Sequence, residues 1–200
     1  MTEIPDSYGE LYLREVASIA RRLDATNVDR MAAALAAVRE RGGRLFVLGV
    51  GGGAGHASHA VNDFRKICEL ETYSPVDNVS ELTARVNDES WDVTFDSWLR
   101  TSRLSADDAL LIFSVGGGSR ERGVSINIVR AVELAHDVGA DVFGIVGDAG
   151  GTTGKLGDVV IVVPAPPERR TPHVEAFQAV LWHALVTHPV LAPPDEEDDA

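Results

Sequence analysis

His59 and Asp63 lie four residues apart, directly after a run rich in glycine. On an α-helix that spacing puts both side chains on one face, so an imidazole and a carboxylate would look into the same space. Both groups can take up and return a proton near neutral pH, and both are chemically plausible ligands for a metal ion. Late in the chain Glu175 and His183 are a second pair, eight residues apart. On a regular helix this separates them by about 80° around the axis and ~12 Å along it. They would then not converge on one atom; either one acts from the helix start, or the two serve different edges of a crevice. Taken singly, Asp63 reads as a surface carboxylate and His59 as a satisfied core histidine. His56, His173 and Gln178 are secondary candidates, and His136 and His188 look like helix-end residues. No paired-cysteine or His-Glu-x-x-His pattern accompanies them.

A second type of chemistry, the holding of an anion, is suggested by glycine turns. Leu45 to Leu48 is apolar and runs into glycines at 49, 51, 52, 53 and 55, followed by a helix-compatible segment. Strand, glycine turn and helix is the layout in which backbone N–H groups at a helix start hold an anion. Ala109–Phe113 runs into Ser114-Val-Gly-Gly-Gly-Ser119, and Asp141–Val146 into Gly147-Asp-Ala-Gly-Gly151. The match of Gly49-Val-Gly-Gly-Gly-Ala54 to the dinucleotide fingerprint is loose, and no Gly-Lys-Ser/Thr phosphate loop is present, so a nucleotide cofactor is not expected. A small phosphate monoester suits the pattern better, held by backbone amides with the hydroxyls of Ser114 and Ser119 or Ser125. The plainer alternative is that the glycines only permit tight turns.

The elements that must position these groups follow from periodicity. Residues 8–24 place Tyr12, Val16, Ile19 and Leu23 at helical spacing, and Asn27 is a suitable cap for a second helix carrying Met31, Leu35 and Val38, stopped by Gly42-Gly43. Tyr73–Asp77 is expected as a short strand. Asn78 or Ser80 would cap a helical stretch that Asn87-Asp88 interrupts. Trp91, Phe95, Trp98 and Leu99 then recur at helical spacing as core residues. A helix is expected from about Ser125 to His136, a last strand over 158–163, and a final helix from Thr171-Pro172 through Leu185. Apolar strands alternating with helices predict an α/β fold, a three-layer sandwich with a five-stranded parallel sheet and helices on both faces, plus the N-terminal helices. In such sheets a ligand sits beyond the carboxyl ends of the strands, where the strand order reverses.

Bulk properties narrow the partners. The 200 residues suit one domain of ordinary size. Eighteen basic against 31 acidic residues give a net charge of −13, with no long basic run to face a nucleic acid. Five of the acids form Asp195-Glu-Glu-Asp-Asp199 after Pro193-Pro194, so 191–200 is expected as a solvated, disordered tail on a single domain of 1–190. No apolar run reaches the ~20 residues of a membrane helix, the first residues lack the pattern of a secretory signal, and Cys68 is the only cysteine. A cytoplasmic location is the expectation.

These residues, in this order, resemble the sugar isomerase (SIS) domain family, specifically its phosphoheptose isomerase branch. The resemblance runs from about residue 8 to residue 190. It rests on Gly-Val-Gly-Gly-Gly at 49–53, where the family has Gly-Asn-Gly-Gly-Ser, and on His59 with Asp63, Val86-Asn-Asp88, the Ser114–Ser119 turn, Gly150-Gly151 and the Glu175-to-His183 spacing. It implies an SIS fold with flavodoxin-like strand order and conversion of sedoheptulose 7-phosphate to D-glycero-D-manno-heptose 7-phosphate through an enediol. Asp63 and His183 would exchange the protons. Gly51, Gly52, Gly53, Ser114, Gly116, Gly117, Gly118, Ser119 and Ser125 would form the phosphate cradle, and Asn87, Asp88 and Glu175 would meet the substrate. Some members bind zinc at the positions of His59, Asp63, Glu175 and His183. A homotetramer with sites between subunits is implied, the helices of 8–42 serving assembly. The chain departs from the family at Gly53, at Ser114-Val-Gly where Ser-Thr-Ser is usual, at Asp63 for Glu and at Glu175 for Gln. Arg120-Glu-Arg-Gly is an insertion whose Arg120 or Arg122 would bind phosphate in place of the lost hydroxyls. The alternative is a non-catalytic SIS module that binds a phosphosugar or a partner protein in regulation.

Overall fold

The computed structural model describes residues 7–147 and 150–192. The expected acidic run and Asp148-Ala149 of the third glycine turn lie outside them. In chain order the elements are α1 (Tyr8–Arg22), α2 (Ala25–Glu40), β1 (Leu45–Gly49), α3 (Gly52–Cys68), β2 (Thr72–Tyr73), α4 (Val79–Asp88), α5 (Thr94–Thr101), β3 (Ala109–Ser114), α6 (Ile126–Val138), β4 (Asp141–Gly147), α7 (Gly151–Leu156), β5 (Val159–Val163) and α8 (Arg170–Val186). The five strands form one sheet in the order β2-β1-β3-β4-β5, and every pair is parallel. This is the flavodoxin-like order, in which the chain reverses direction across the sheet between β1 and β3.

The two-residue alternation of the central strands divides the core. Leu45, Val47, Leu111 and Phe113 pack with α2, α3 and α8, while Phe46, Leu48, Leu110 and Ile112 pack with α5 and α6. Both faces are covered, so β1 and β3 are buried along their whole length, which accounts for their continuous apolar sequence. The lower ends of these strands are fastened by Asp108. It accepts from the Arg44 backbone N–H at 3.0 Å and pairs with the Arg44 guanidinium at 2.7 Å. Burial would raise the Asp108 pKa, but these bonds outweigh it and hold the carboxyl below its usual range.

Several boundaries differ from expectation for local reasons. Asp24, not Asn27, caps α2, accepting from the Thr26 N–H at 3.0 Å; Asn27 lies inside the first turn and bonds Asp24 instead. β2 pairs only through Thr72 and Tyr73, because Ser74 and Pro75 already leave the sheet edge. Asn78 is the cap of α4, accepting from the Glu81 N–H. Of the four aromatic-period residues, Phe95 and Leu99 are core, Trp98 packs edge-on against Phe46, and Trp91 is exposed. Leu191 is fully buried, and its carbonyl accepts from Arg39 at 2.6 Å, so the start of the expected tail belongs to the core. α2 packs against α8 and β5, whereas α1 buries only Ile19 and leaves Tyr8 and Leu13 exposed. No helix among the described residues is long and apolar enough to cross a membrane.

Candidate active site

His59 and Asp63 sit one turn apart on α3, and His183 reaches them from the last turns of α8, which packs alongside. The three side chains offer ligand atoms that all lie within 4.8 Å of one another. Asp63 Oδ2 is 3.4 Å from His59 Nε2 and 3.6 Å from His183 Nε2, and the two imidazoles stand nearly perpendicular with centroids 5.4 Å apart. The carboxylate is buried beneath half-exposed histidines. Two donors fix it: Trp182 Nε1 gives its hydrogen to Oδ2 at 3.1 Å, and Asn62 Nδ2 bonds Oδ1 at 3.0 Å. His183 Nδ1 donates to the Ala179 carbonyl one turn back, at 2.7 Å. That bond leaves Nε2 as the nitrogen facing Asp63, with a lone pair for a proton or a metal.

Two imidazole nitrogens and one carboxylate, with outer partners in place for Asp63 and His183, match the donor set of a zinc site that keeps an open coordination position. Glu175 stands outside this cluster. It points back over the β1–α3 turn, where a Cβ built on Gly52 would meet its Oε2 at 2.5 Å. α8 is one regular helix from Arg170, so Glu175 and His183 keep their separation of two turns.

Glu175 instead lines a cavity of about 300 Å³ at the strand-order reversal, with Val50 and Gly53 after β1, Phe113 to Gly116 after β3, Val124, Ser125 and Gln178. Ser114 Oγ accepts from the Gly117 N–H at 3.0 Å, so the hydroxyl shapes its own turn while its hydrogen is left to donate. Ser125 stands in the left-handed region at φ 51° immediately before α6. The serine usual in the family would not fit at Gly53, where a Cβ would approach the Phe113 carbonyl oxygen to 2.7 Å. Gly117 has φ 65° and lies against the Gly150 carbonyl, so only glycine serves there.

Other expected site residues lie elsewhere. Ser119 Oγ accepts from the Arg122 N–H at 3.3 Å and closes the inserted loop, which Ser119 and Val124 pin as a short antiparallel bridge. Arg120 turns away to pair with Glu133 on α6. Arg122 lines a neighbouring cavity of about 340 Å³ with Arg170, Gly116, Gly147, Gly150 and Gly151. Asn87 and Asp88 are exposed at the end of α4, bonded to one another at 2.7 Å. Gly51 and Gly52 are exposed at the start of α3. His56 faces Trp182, with centroids 5.2 Å apart; burial lowers its pKa, and the Glu175 charge partly offsets this.

Sequence reasoning did not find Trp182 or Glu15. Trp182 looks like one more apolar helix residue, and only the α3–α8 packing puts its N–H on Asp63. Glu15 on α1 binds both Arg169 and the fully buried His173 at the start of α8.

Residues 11–147 match the SIS domain family. LmbN, a lincomycin biosynthesis protein of Streptomyces lincolnensis, is 35% identical over 155 residues, 72% of this chain but only 54% of that protein, so the chain spans about half of that relative. The phosphoheptose isomerase of Syntrophotalea carbinolica is 27% identical over 87% of this chain and 88% of its own. The structure of a phosphoheptose isomerase from Neisseria gonorrhoeae superposes with a TM-score of 0.75 at 25% identity, covering 87% of this chain and 91% of that one. With the parallel sheet, the glycine turns at its switch point and the His59–Asp63–His183 cluster, these matches identify the chain as a member of the SIS domain family, in its phosphoheptose isomerase branch.

Proposed function

We propose that the chain is a phosphosugar aldose–ketose isomerase acting in the cytoplasm on sedoheptulose 7-phosphate or a close relative, with D-glycero-D-manno-heptose 7-phosphate as the aldose. The observation that carries this reading is the meeting of Asp63 and His183 Nε2 beside His59, with the His183 tautomer set by its bond to Ala179. Asp63 takes the proton from the carbon next to the sugar carbonyl, and His183 serves the oxygens, so a proton moves between adjacent carbons through an enediol. Trp182 and Asn62 hold the carboxylate in place for this transfer. His59, Asp63 and His183 are the residues that would hold a zinc ion, which when bound supplies a Lewis acid to polarise the substrate oxygens.

The phosphate cradle is formed by the backbone at Gly53 and Gly116 with Ser114 and Ser125, and Arg122 supplies positive charge from the adjoining cavity. Because α8 keeps Glu175 two turns from His183, a complete site is built from more than one chain, in a homotetramer assembled through α1 and its exposed apolar residues. Asn87 and Asp88, exposed on α4, would reach the sugar hydroxyls in that assembly.

The test is to incubate the purified protein with sedoheptulose 7-phosphate, with and without zinc, and follow the aldose. Asp63→Asn and His183→Ala should each reduce kcat by about 10²–10⁴, the usual contribution of a general acid or base. No turnover by the parent on heptose, hexose or pentose phosphates would sink the isomerase. The absence of side-chain hydroxyls at Gly53 and Gly116 favours one second reading, a phosphosugar-binding module without catalysis, for which the same titration gives binding without aldose.

A further inference from the structure

Gln178 is fully buried on α8 and lines the cavity at the strand-order reversal. Its Nε2 faces the Ile145 carbonyl on β4 at 3.5 Å. The opposite amide orientation would set two acceptors against each other, so this contact fixes the nitrogen toward β4 and leaves Oε1 as the free end. Oε1 is buried and has no hydrogen-bond partner among the described residues. A buried acceptor left unpaired is disfavoured enough that native structures rarely keep one without a ligand or ordered water to complete it.

The surroundings say what kind of group completes it. Glu175, one turn away on the same helix, brings a carboxylate to the cavity, whose remaining lining is half apolar, from Val50, Phe113, Val115 and Val124, and half glycine and serine. Two acceptors side by side repel a phosphate and attract hydrogen-bond donors. The phosphate therefore belongs to the glycine and serine end of the cavity, and the α8 wall faces the uncharged, hydroxylated part of the ligand.

We propose that Gln178 is a specificity-determining residue whose Oε1 accepts a hydrogen bond from one hydroxyl of the bound sugar phosphate. The assignment rests on the phosphosugar isomerase reading above. A site built to hydrogen-bond a substrate hydroxyl rejects an analogue lacking it far more strongly than an apolar pocket rejects a change in size, because the protein group is then stranded.

The experiment measures calorimetric affinity and steady-state kinetics for sedoheptulose 7-phosphate and its single-deoxy analogues, using the parent and Gln178→Met, which retains length and loses the acceptor. Inorganic phosphate is the control ligand. In the parent, one deoxy analogue should bind about tenfold or more weakly than the full sugar. Gln178→Met should show the same loss with the full sugar as a raised KM, no further loss with that analogue, and unchanged affinity for inorganic phosphate. Equal binding of all deoxy analogues by the parent overturns the proposal without any variant, so a misfolded Gln178→Met cannot shield it. So does full-sugar affinity unchanged in a folded Gln178→Met. In both cases continuing turnover by the parent leaves the isomerase standing, whereas a parent that neither binds nor turns over any sugar phosphate defeats both.

Discussion

Asp63 holds its position through side chains that sequence spacing alone does not connect. Trp182 Nε1 and Asn62 Nδ2 each bond one carboxylate oxygen, so the acid is aimed rather than merely present. Trp182→Phe keeps the aromatic packing and removes one donor from a buried carboxylate, a loss of about 1.5–3 kcal/mol for a bond to a charged group. We expect lowered stability in urea titration and a fall in kcat larger than any change in KM. Gly53 gives a second prediction at this scale. Restoring the family serine with Gly53→Ser should not improve the enzyme, because the new Cβ runs into the Phe113 carbonyl. A destabilisation of about 1–3 kcal/mol is expected from such overpacking, read as an earlier urea midpoint.

Two elements, α3 and α8, carry the His59–Asp63–His183 cluster, and α1 clasps the start of α8. Glu15 bonds Arg169 and, at 2.8 Å, His173, on which Tyr12 stacks with centroids 4.4 Å apart. The Arg169 hydrogen bond foremost, then that of His173, hold the Glu15 carboxyl at about 2 against the opposing effect of burial. A folded pKa below the unfolded value means that the stabilisation is present above the unfolded pKa and is lost as pH falls through the folded one. The contribution should therefore be complete at neutral pH and decline from about pH 4.5 toward pH 2. Urea titrations across that range should show Glu15→Gln with a shallower acid decline than the parent; parallel curves would remove the clasp from the account. At the other end of the sheet, the Arg44–Asp108 pair likewise ties strand starts together, far from the chemistry.

At the scale of the molecule, one chain presents two separate features, the cavity with Glu175 and the cluster with His183. If sites lie between subunits, mixing two inactive variants, Glu175→Ala and His183→Ala, after joint unfolding and refolding should recover part of the activity. Neither variant refolded alone should do so. Absence of any recovery in a mixed assembly would place each site within one chain. Chelation should lower turnover and zinc restore it, with His59→Ala abolishing metal retention measured by elemental analysis.

The sequence by itself determined the parallel sheet, because strands buried on both faces must be apolar throughout, and it determined the glycine turns, because φ > 0 and close backbone approach select glycine. It also placed His59 and Asp63 on one face, since helical periodicity is local. Tertiary structure decided the rest. That His183 meets them, that Glu175 does not, that Arg120 is taken by Glu133, and that Asp63 rests on Trp182 all depend on how α3, α6 and α8 pack. The widest of those contacts, His59 with His183, joins residues 124 positions apart (183 − 59), and no local pattern of spacing encodes a distance across the core.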